Sequence, residues 1–270
     1  MTSAHTPHTR LPAVAGMFYP GDAAALKRDV MSYVAVGTAV HKAPKAIIAP
    51  HAGYVYSGPI AGSVYALLAP AAHTIRRVVL LGPTHRVAVR GMALPTCEAF
   101  ATPLGQIPID RDAFELLTDL PQVVLSDAAH AQEHSLEVQL PFLQAVLGDF
   151  RLLPFAVGHV GPEAVAEVLD RLWGGDETLI VVSSDLSHYL PYAAAREVDG
   201  ATAQRIVAES PDITHEEACG ATPVNGLLLA ARRRGLHPRL VDLRNSGDTA
   251  GDRSRVVGYG AFAFTGSDDV

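Results

Sequence analysis

Residues 45–49 (KAIIA), 77–81 (RVVLL), 151–157 (RLLPFAV) and 178–183 (TLIVVS) are apolar almost without interruption, and each is only a strand's length. A strand with one face in water alternates apolar and polar positions. A run with no such alternation reads as a strand covered on both faces. Between these runs the spacing changes to three and four: residues 134–147 repeat through Leu136, Leu140, Leu143 and Leu147, as a helix with one buried stripe does. Further helices are predicted at 59–68, 112–117, 162–172 and 194–208, and at about 222–234, where Pro223 opens the run. Runs at 239–243 and 255–264 close the chain as strands. Buried strands alternating with helices predict an α/β fold, a three-layer αβα sandwich around a mixed central sheet. Residues 1–10 are polar and read as a flexible tail, and residues 11–266 as a single domain, with no repeat, low-complexity tract or linker inside it.

Composition narrows the function more than the fold. The 270 residues are 49% hydrophobic and 18% charged, so burial is extensive, and the balance accommodates a homo-oligomer interface. The net charge is −7, and the most basic stretch is Arg232-Arg233-Arg234. That excludes the electrostatic footprint of a nucleic-acid binder and a polybasic membrane anchor. No apolar run approaches the ~20 residues that span a bilayer, and the first ten residues lack the apolar core of a secretory signal. Two widely separated cysteines, Cys97 and Cys219, make neither a disulfide framework nor a zinc-ribbon spacing. A cytoplasmic protein is expected.

The chemistry collects just past the strands, where ligands bind in open α/β sheets. After KAIIA comes Pro50-His51-Ala52-Gly53-Tyr54; after RVVLL, Gly82-Pro83-Thr84-His85; after TLIVVS, Ser184-Asp185-Leu186-Ser187-His188; after the 239–243 run, Arg244-Asn245-Ser246-Gly247-Asp248. His51 and His85, at corresponding ends of neighbouring strands, are candidate metal ligands, since imidazole suits iron, zinc, copper and nickel. Two histidines and one carboxylate form the non-haem Fe(II) arrangement, and Zn²⁺ accepts the same donors. His188 is then a spare acid/base and Asp185 its companion, although Asp185 also fits a simple turn cap. Asp248 competes with Asp252 for the carboxylate position, and both also fit a glycine-rich loop. A second cluster, Gln132 to Pro141, places Glu133 and Glu137 at a predicted helix start, where acidic residues favour the dipole. His134 and Glu137 there, with Tyr54, are candidates to support ligands from behind.

Several segments together carry a family likeness: RLPAVAGMFYP at 10–20, APHAGYVYSG at 49–58, LGPTHR at 81–86, TPLGQIPID at 102–110, EHSLEVQLPFL at 133–143, SSDLSHY at 183–189 and CGATPVNGLL at 219–228. In order and spacing they resemble the Memo family, whose prokaryotic members are often called AmmeMemoRadiSam system protein B. The resemblance implies a fold similar to the class III extradiol dioxygenases of the LigB type, which hold Fe(II) with two histidines and a carboxylate. It implies that His51 and His85 match the metal histidines and His188 the acid/base histidine. Animal members place a cysteine in the third position, in the loop before the last strand. Residues 245–254 hold none, so the resemblance points to Asp248 as third ligand and sets Cys219 aside as part of a different motif.

What the resemblance implies for function is a non-haem metalloprotein, with Fe(II) expected and zinc or copper as the other metals, and oxidoreductase activity of the dioxygenase kind on an unknown substrate. The alternative is a non-enzymatic module that receives a peptide or protein in the ancestral cleft. A weaker one is zinc-dependent hydrolysis. The resemblance also associates prokaryotic members with radical-SAM and AMMECR-type proteins, so these are expected partners.

Overall fold

The structure is a computed structural model that describes residues 8–37 and 42–266. Residues 1–7 of the expected tail, with His5, lie outside the described residues, as does His41. The strands are β1 (Thr9–Arg10), β2 (Ala46–Ala49), β3 (Arg77–Pro83), β4 (Met92–Leu94), β5 (Ala99–Thr102), β6 (Gly105–Pro108), β7 (Val123–Leu125), β8 (Arg151–Val157), β9 (Thr178–Ser183), β10 (His188–Leu190), β11 (Leu236–Asn245) and β12 (Val256–Gly266). The α-helices are α1 (Ala23–Val34), α2 (Tyr54–Tyr65), α3 (Asp127–Ala131), α4 (Leu140–Leu147), α5 (Pro162–Leu172), α6 (Tyr192–Val207) and α7 (Ala221–Arg232).

Nine strands form one mixed sheet in the order β10-β12-β2-β9-β3-β8-β4-β7, with β11 paired to β12. Its centre, β2-β9-β3-β8, is parallel, which explains why those four runs carry no alternation in sequence. The alternation exists, but both sides of it are apolar. Ile47, Ala49, Val78, Leu80, Leu179 and Val181 enter the core under α1, α2 and α4, beside Leu26, Val30, Ile60, Val64 and Phe142. Ala46, Ile48, Val79, Leu81, Ile180 and Val182 enter a second core under α5, α6 and α7, beside Val165, Leu169, Ile206, Val224 and Leu228. Each fully buried Val, Leu, Ile or Phe contributes about 1.5–3 kcal/mol, so both layers are held to the sheet mainly by this burial.

Some expectations need correcting. Residues 9 and 10 are not tail: β1 pairs in parallel with β5, and Arg10 is buried, donating to the carbonyls of His130 and Glu133 and to the Glu137 carboxylate. A buried guanidinium needs such partners, and they pin the strand. The helix expected from residue 134 begins as a 3-10 turn at Glu137–Gln139 and becomes α4 at Leu140, with Pro141 in its first turn. Residues 134–136 are loop. The helix expected at 59–68 starts earlier, at Tyr54, and ends as a 3-10 turn over Ala66–Ala71. The 112–117 helix is likewise a 3-10 turn, Arg111–Leu117. α1 went unpredicted, and it packs unusually close to α2: a Cβ on Gly62 would stand 2.6 Å from Tyr33 backbone, so only glycine fits there. The start of α2, just after His51, is held separately, by the Tyr54 N–H donating to Phe18 O at 2.7 Å.

Candidate metal centre

β9 lies between β2 and β3, in register with both: Ala49 pairs Ser183, and Leu81 pairs Val182. His51 and His85 therefore follow strands separated by a third, not adjacent ones. Two strand spacings of ~4.8 Å put their backbones roughly 10 Å apart, and the side chains close the gap. The ring centroids of His51 and His85 are 5.3 Å apart. Into the same space comes His134, from the loop ahead of α4, at 5.5 Å from His51 and 4.6 Å from His85. One nitrogen from each of the three rings lies within 4.8 Å of the others, a group that could hold a metal ion. His134, expected behind the ligands, is one of the converging donors.

For two of the rings, the nitrogen presented to the site is set from behind. Tyr65 donates to Gln139 Oε1 (2.8 Å), and Gln139 Nε2 donates to Pro50 O (2.9 Å) and Ser183 Oγ (2.8 Å). Ser183 spends its one proton on Ser135 O (2.6 Å). The remaining contact, His51 Nδ1 to Ser183 Oγ at 2.8 Å, must then be donated by the imidazole. His51 is thus protonated on Nδ1, and its Nε2 lone pair faces the site. His85 Nδ1 is paired with Glu133 Oε1 at 2.9 Å, and the same carboxylate accepts the N–H groups of His85 (2.5 Å), His134 (2.9 Å) and Ser135 (2.9 Å). A carboxylate behind a ligating histidine fixes its ring and raises its basicity.

Burial disfavours charge on two of the rings. Burial, then the neighbouring His85 and His134, hold the His51 pKa well below the usual range. Burial and His85 push His134 down to about 4. Burial works against charge on Glu133, yet the hydrogen bonds from the His85 ring and amide win and hold its pKa near 2. His51 and His134 are thereby kept as neutral imidazoles, ready to bind a cation at neutral pH.

Asp185 is buried beside this cluster and accepts the His51 N–H at 2.7 Å; burial pushes its carboxyl up to about 7. His188, the first residue of β10, lies near the cluster: burial, and then the neighbouring His85, lower its pKa, and its own charge is felt by His51. Glu137 and Tyr54 act one layer further out. Glu137 accepts from Arg10, the amides of Ala13 (2.8 Å) and Val14 (3.0 Å) and the Tyr19 hydroxyl (2.5 Å). Tyr54 donates to Val138 O at 2.7 Å. Both brace the segment that carries His134.

Asp248 is elsewhere engaged. Its carboxylate accepts from Tyr192 Oη (2.6 Å) and from the Asn245 N–H (3.0 Å), completing a capping box over Ser246–Asp248, and it is absent from the histidine cluster. Asp252 turns onto Ser254. Both bond within or beside their own loop, as aspartates in short turns do. The residue that sequence reasoning set aside is the one that arrives: Cys219 Sγ lies 3.3 Å from His51 Nε2. It sits just ahead of α7, and burial pushes its thiol up to about 12. The signal in the sequence is a cysteine inside CGATPVNGLL rather than in the loop before the last strand. Glu133 is more than a helix-start charge, since it holds the His85 ring.

A parallel-centred sheet covered on both faces, with three histidines converging past its strand ends, defines an α/β protein with a candidate mononuclear metal centre. The family model described as Memo-like protein matches residues 10–263. The chain belongs to the Memo family. A MEMO1 family protein of Archaeoglobus fulgidus is 34% identical, covering 94% of this chain and 99% of its own. One from Aquifex aeolicus is 37% identical (93% and 97%), and one from Methanosarcina barkeri 36% (93% and 98%). A crystal structure of an uncharacterized Escherichia coli protein aligns with a TM-score of 0.49 at 15% identity, covering 79% of this chain and 98% of that one. Among the described residues no helix is long and apolar enough to cross a membrane.

Proposed function

We propose that the chain is a metal-dependent oxidoreductase whose centre takes Fe(II) on His51, His85 and His134. The observation that carries this reading is the convergence of three imidazole rings, two of them with the outward nitrogen already occupied by a buried partner. Imidazoles with a thiol at 3.3 Å suit iron and zinc and are poor ligands for magnesium or calcium. Bound there, iron supplies redox chemistry and Lewis acidity toward a small substrate. The chain's own residues do the rest. Ser183 and Glu133 orient the rings, Phe18 packs on His134 at 4.8 Å between centroids, and His188 and Asp185 handle protons beside the metal.

A second reading has one observation in its favour. Without Asp248, three histidines also make the donor set of catalytic zinc, where a bound water is the nucleophile. One experiment separates them. The protein is purified anaerobically, its metals are analysed beside His51→Ala, and oxygen uptake is followed with simple catechols. The iron reading expects one iron per chain, lost in the variant, and oxygen uptake that His188→Gln abolishes while iron stays bound. Zinc retained in place of iron, with no oxygen uptake under any loading, overturns it. A metal held by His51 with no turnover of either kind leaves a binding module.

A further inference from the structure

A second group of donors lies outside this centre, where three chain segments meet. β1 runs beside β5, with Thr9 opposite Ala99, and the Glu98 amide donates to His8 O at 2.9 Å. His8 is thereby placed beside the β4–β5 turn that carries Cys97. The Ser126 amide bonds Leu94 O at 2.9 Å and so brings the start of α3, with Asp127, to the same turn. One donor atom each from His8, Cys97 and Asp127 falls within 4.8 Å of the others. His8 Nε2 and Asp127 Oδ2 are 3.6 Å apart. Two ligands on one tetrahedral ion, with bonds of ~2.0–2.1 Å, stand roughly 3.3 Å apart, so little movement is needed.

Two further features point to a ligand. The donors line a cavity of about 290 Å³ shared with Arg10 and His130. His130 is 1% exposed and donates Nε2–H to Ala93 O at 2.9 Å, which leaves a lone pair on Nδ1. That Nδ1 has no hydrogen-bond partner among the described residues. Leaving a buried acceptor unmet is costly, and a water held on an ion in the cavity would satisfy it. The donors are also prepared from behind. Asp127 accepts the Thr96 amide (2.6 Å) and hydroxyl, as ligating carboxylates usually do.

We propose that His8, Cys97 and Asp127 form a second metal site, selective for a Zn²⁺-class ion, that fastens the amino-terminal strand to the β4–β5 turn and α3. One imidazole, one thiolate and one carboxylate with an open fourth position is a zinc donor set. The site is independent of the three-histidine centre and shares no ligand with it. Arg10, two residues on, holds the carbonyls of His130 and Glu133, so the ion locks the same strand that braces the loop leading to His134.

The test is Co²⁺ and Zn²⁺ titration of the untagged full chain, wild type beside His8→Ala, Cys97→Ser and His51→Ala. His8 is half exposed, so its loss does not threaten the fold. Wild type is expected to bind two ions per chain. His8→Ala and Cys97→Ser each bind one, and His51→Ala, in which Cys219 loses its histidine neighbour, keeps a near-ultraviolet thiolate-to-cobalt band that the double variant His51→Ala/Cys97→Ser lacks. Should the three-histidine centre bind nothing, wild type takes up one ion and His8→Ala none, which still supports the second site. His8→Ala and Cys97→Ser binding as many ions as wild type, equally tightly, overturns it.

Discussion

The three-histidine cluster and the His8–Cys97–Asp127 cluster each offer three donors within the same 4.8 Å, yet they are built differently. In the first, His51 and Glu133 are 1% exposed, and the rings of His51 and His85 are each tied at the far nitrogen to a buried partner. Its backbone is the end of a parallel sheet held by two apolar cores. In the second, the His8 and Asp127 side chains are 47% and 44% exposed, and the site exists only while a two-residue strand stays paired. The difference teaches that donor spacing is the lesser part of a metal site. What stands behind the donors decides how much ordering remains for the ion to impose, and so the affinity.

The sharpest way to break the comparison is to remove a ring. His51→Ala or His85→Ala should lower metal affinity at the first centre by more than ~100-fold, beyond the loss typical of removing a supporting group, while uptake at the second cluster is unchanged. Anaerobic competition titration measures both. Next in size is Glu133→Gln. It keeps the shape but removes the charge that fixes His85, and affinity at the first centre should fall ~10–100-fold. Wild-type affinity in that variant would mean the buried carboxylate orients nothing.

Smaller again is a pH effect that both regions share. His130, beside the second cluster, and His134, in the first, are both held down to about 4, chiefly by burial, against 6.5 when unfolded. Between those values the unfolded chain binds protons that the folded chain does not. Stability is therefore fully present above pH ~6.5 and is lost as pH falls toward 4, by up to ~1.4 kcal/mol per pH unit for each group. Urea midpoints of metal-free protein should show this slope, and His130→Gln should flatten it. A variant with an unaltered slope would place the titration elsewhere. The smallest effect is expected from Asp248→Ala. It should leave metal affinity at both clusters within about threefold and cost roughly 1 kcal/mol of stability through the lost cap. Loss of metal in that variant would return the carboxylate to the centre.

Much of the first centre was legible in one dimension, and none of the second. His51, His85, Asp185 and His188 could be read because each directly follows a run that is apolar throughout, and the carboxyl ends of parallel strands share an edge. Pattern reports such positions because burial on both faces is written into every residue of the run. His8 precedes a two-residue strand, Cys97 lies in a turn and Asp127 opens a five-residue helix, elements too short to leave a period.

The sequence by itself determined the layers, the strands and the edge at which chemistry gathers, because these follow from which residues avoid water. Only the tertiary structure decided which side chains meet there. It set β9 between the two histidine strands, brought His134 in from the loop ahead of α4, seated Cys219 against His51 across 168 residues, and turned Asp248 onto Tyr192. Direction is the reason. A loop residue's side chain points where its hydrogen bonds hold it, and those partners, Glu133 for His85 or Asn245 for Asp248, are chosen by how the loop closes on the folded body.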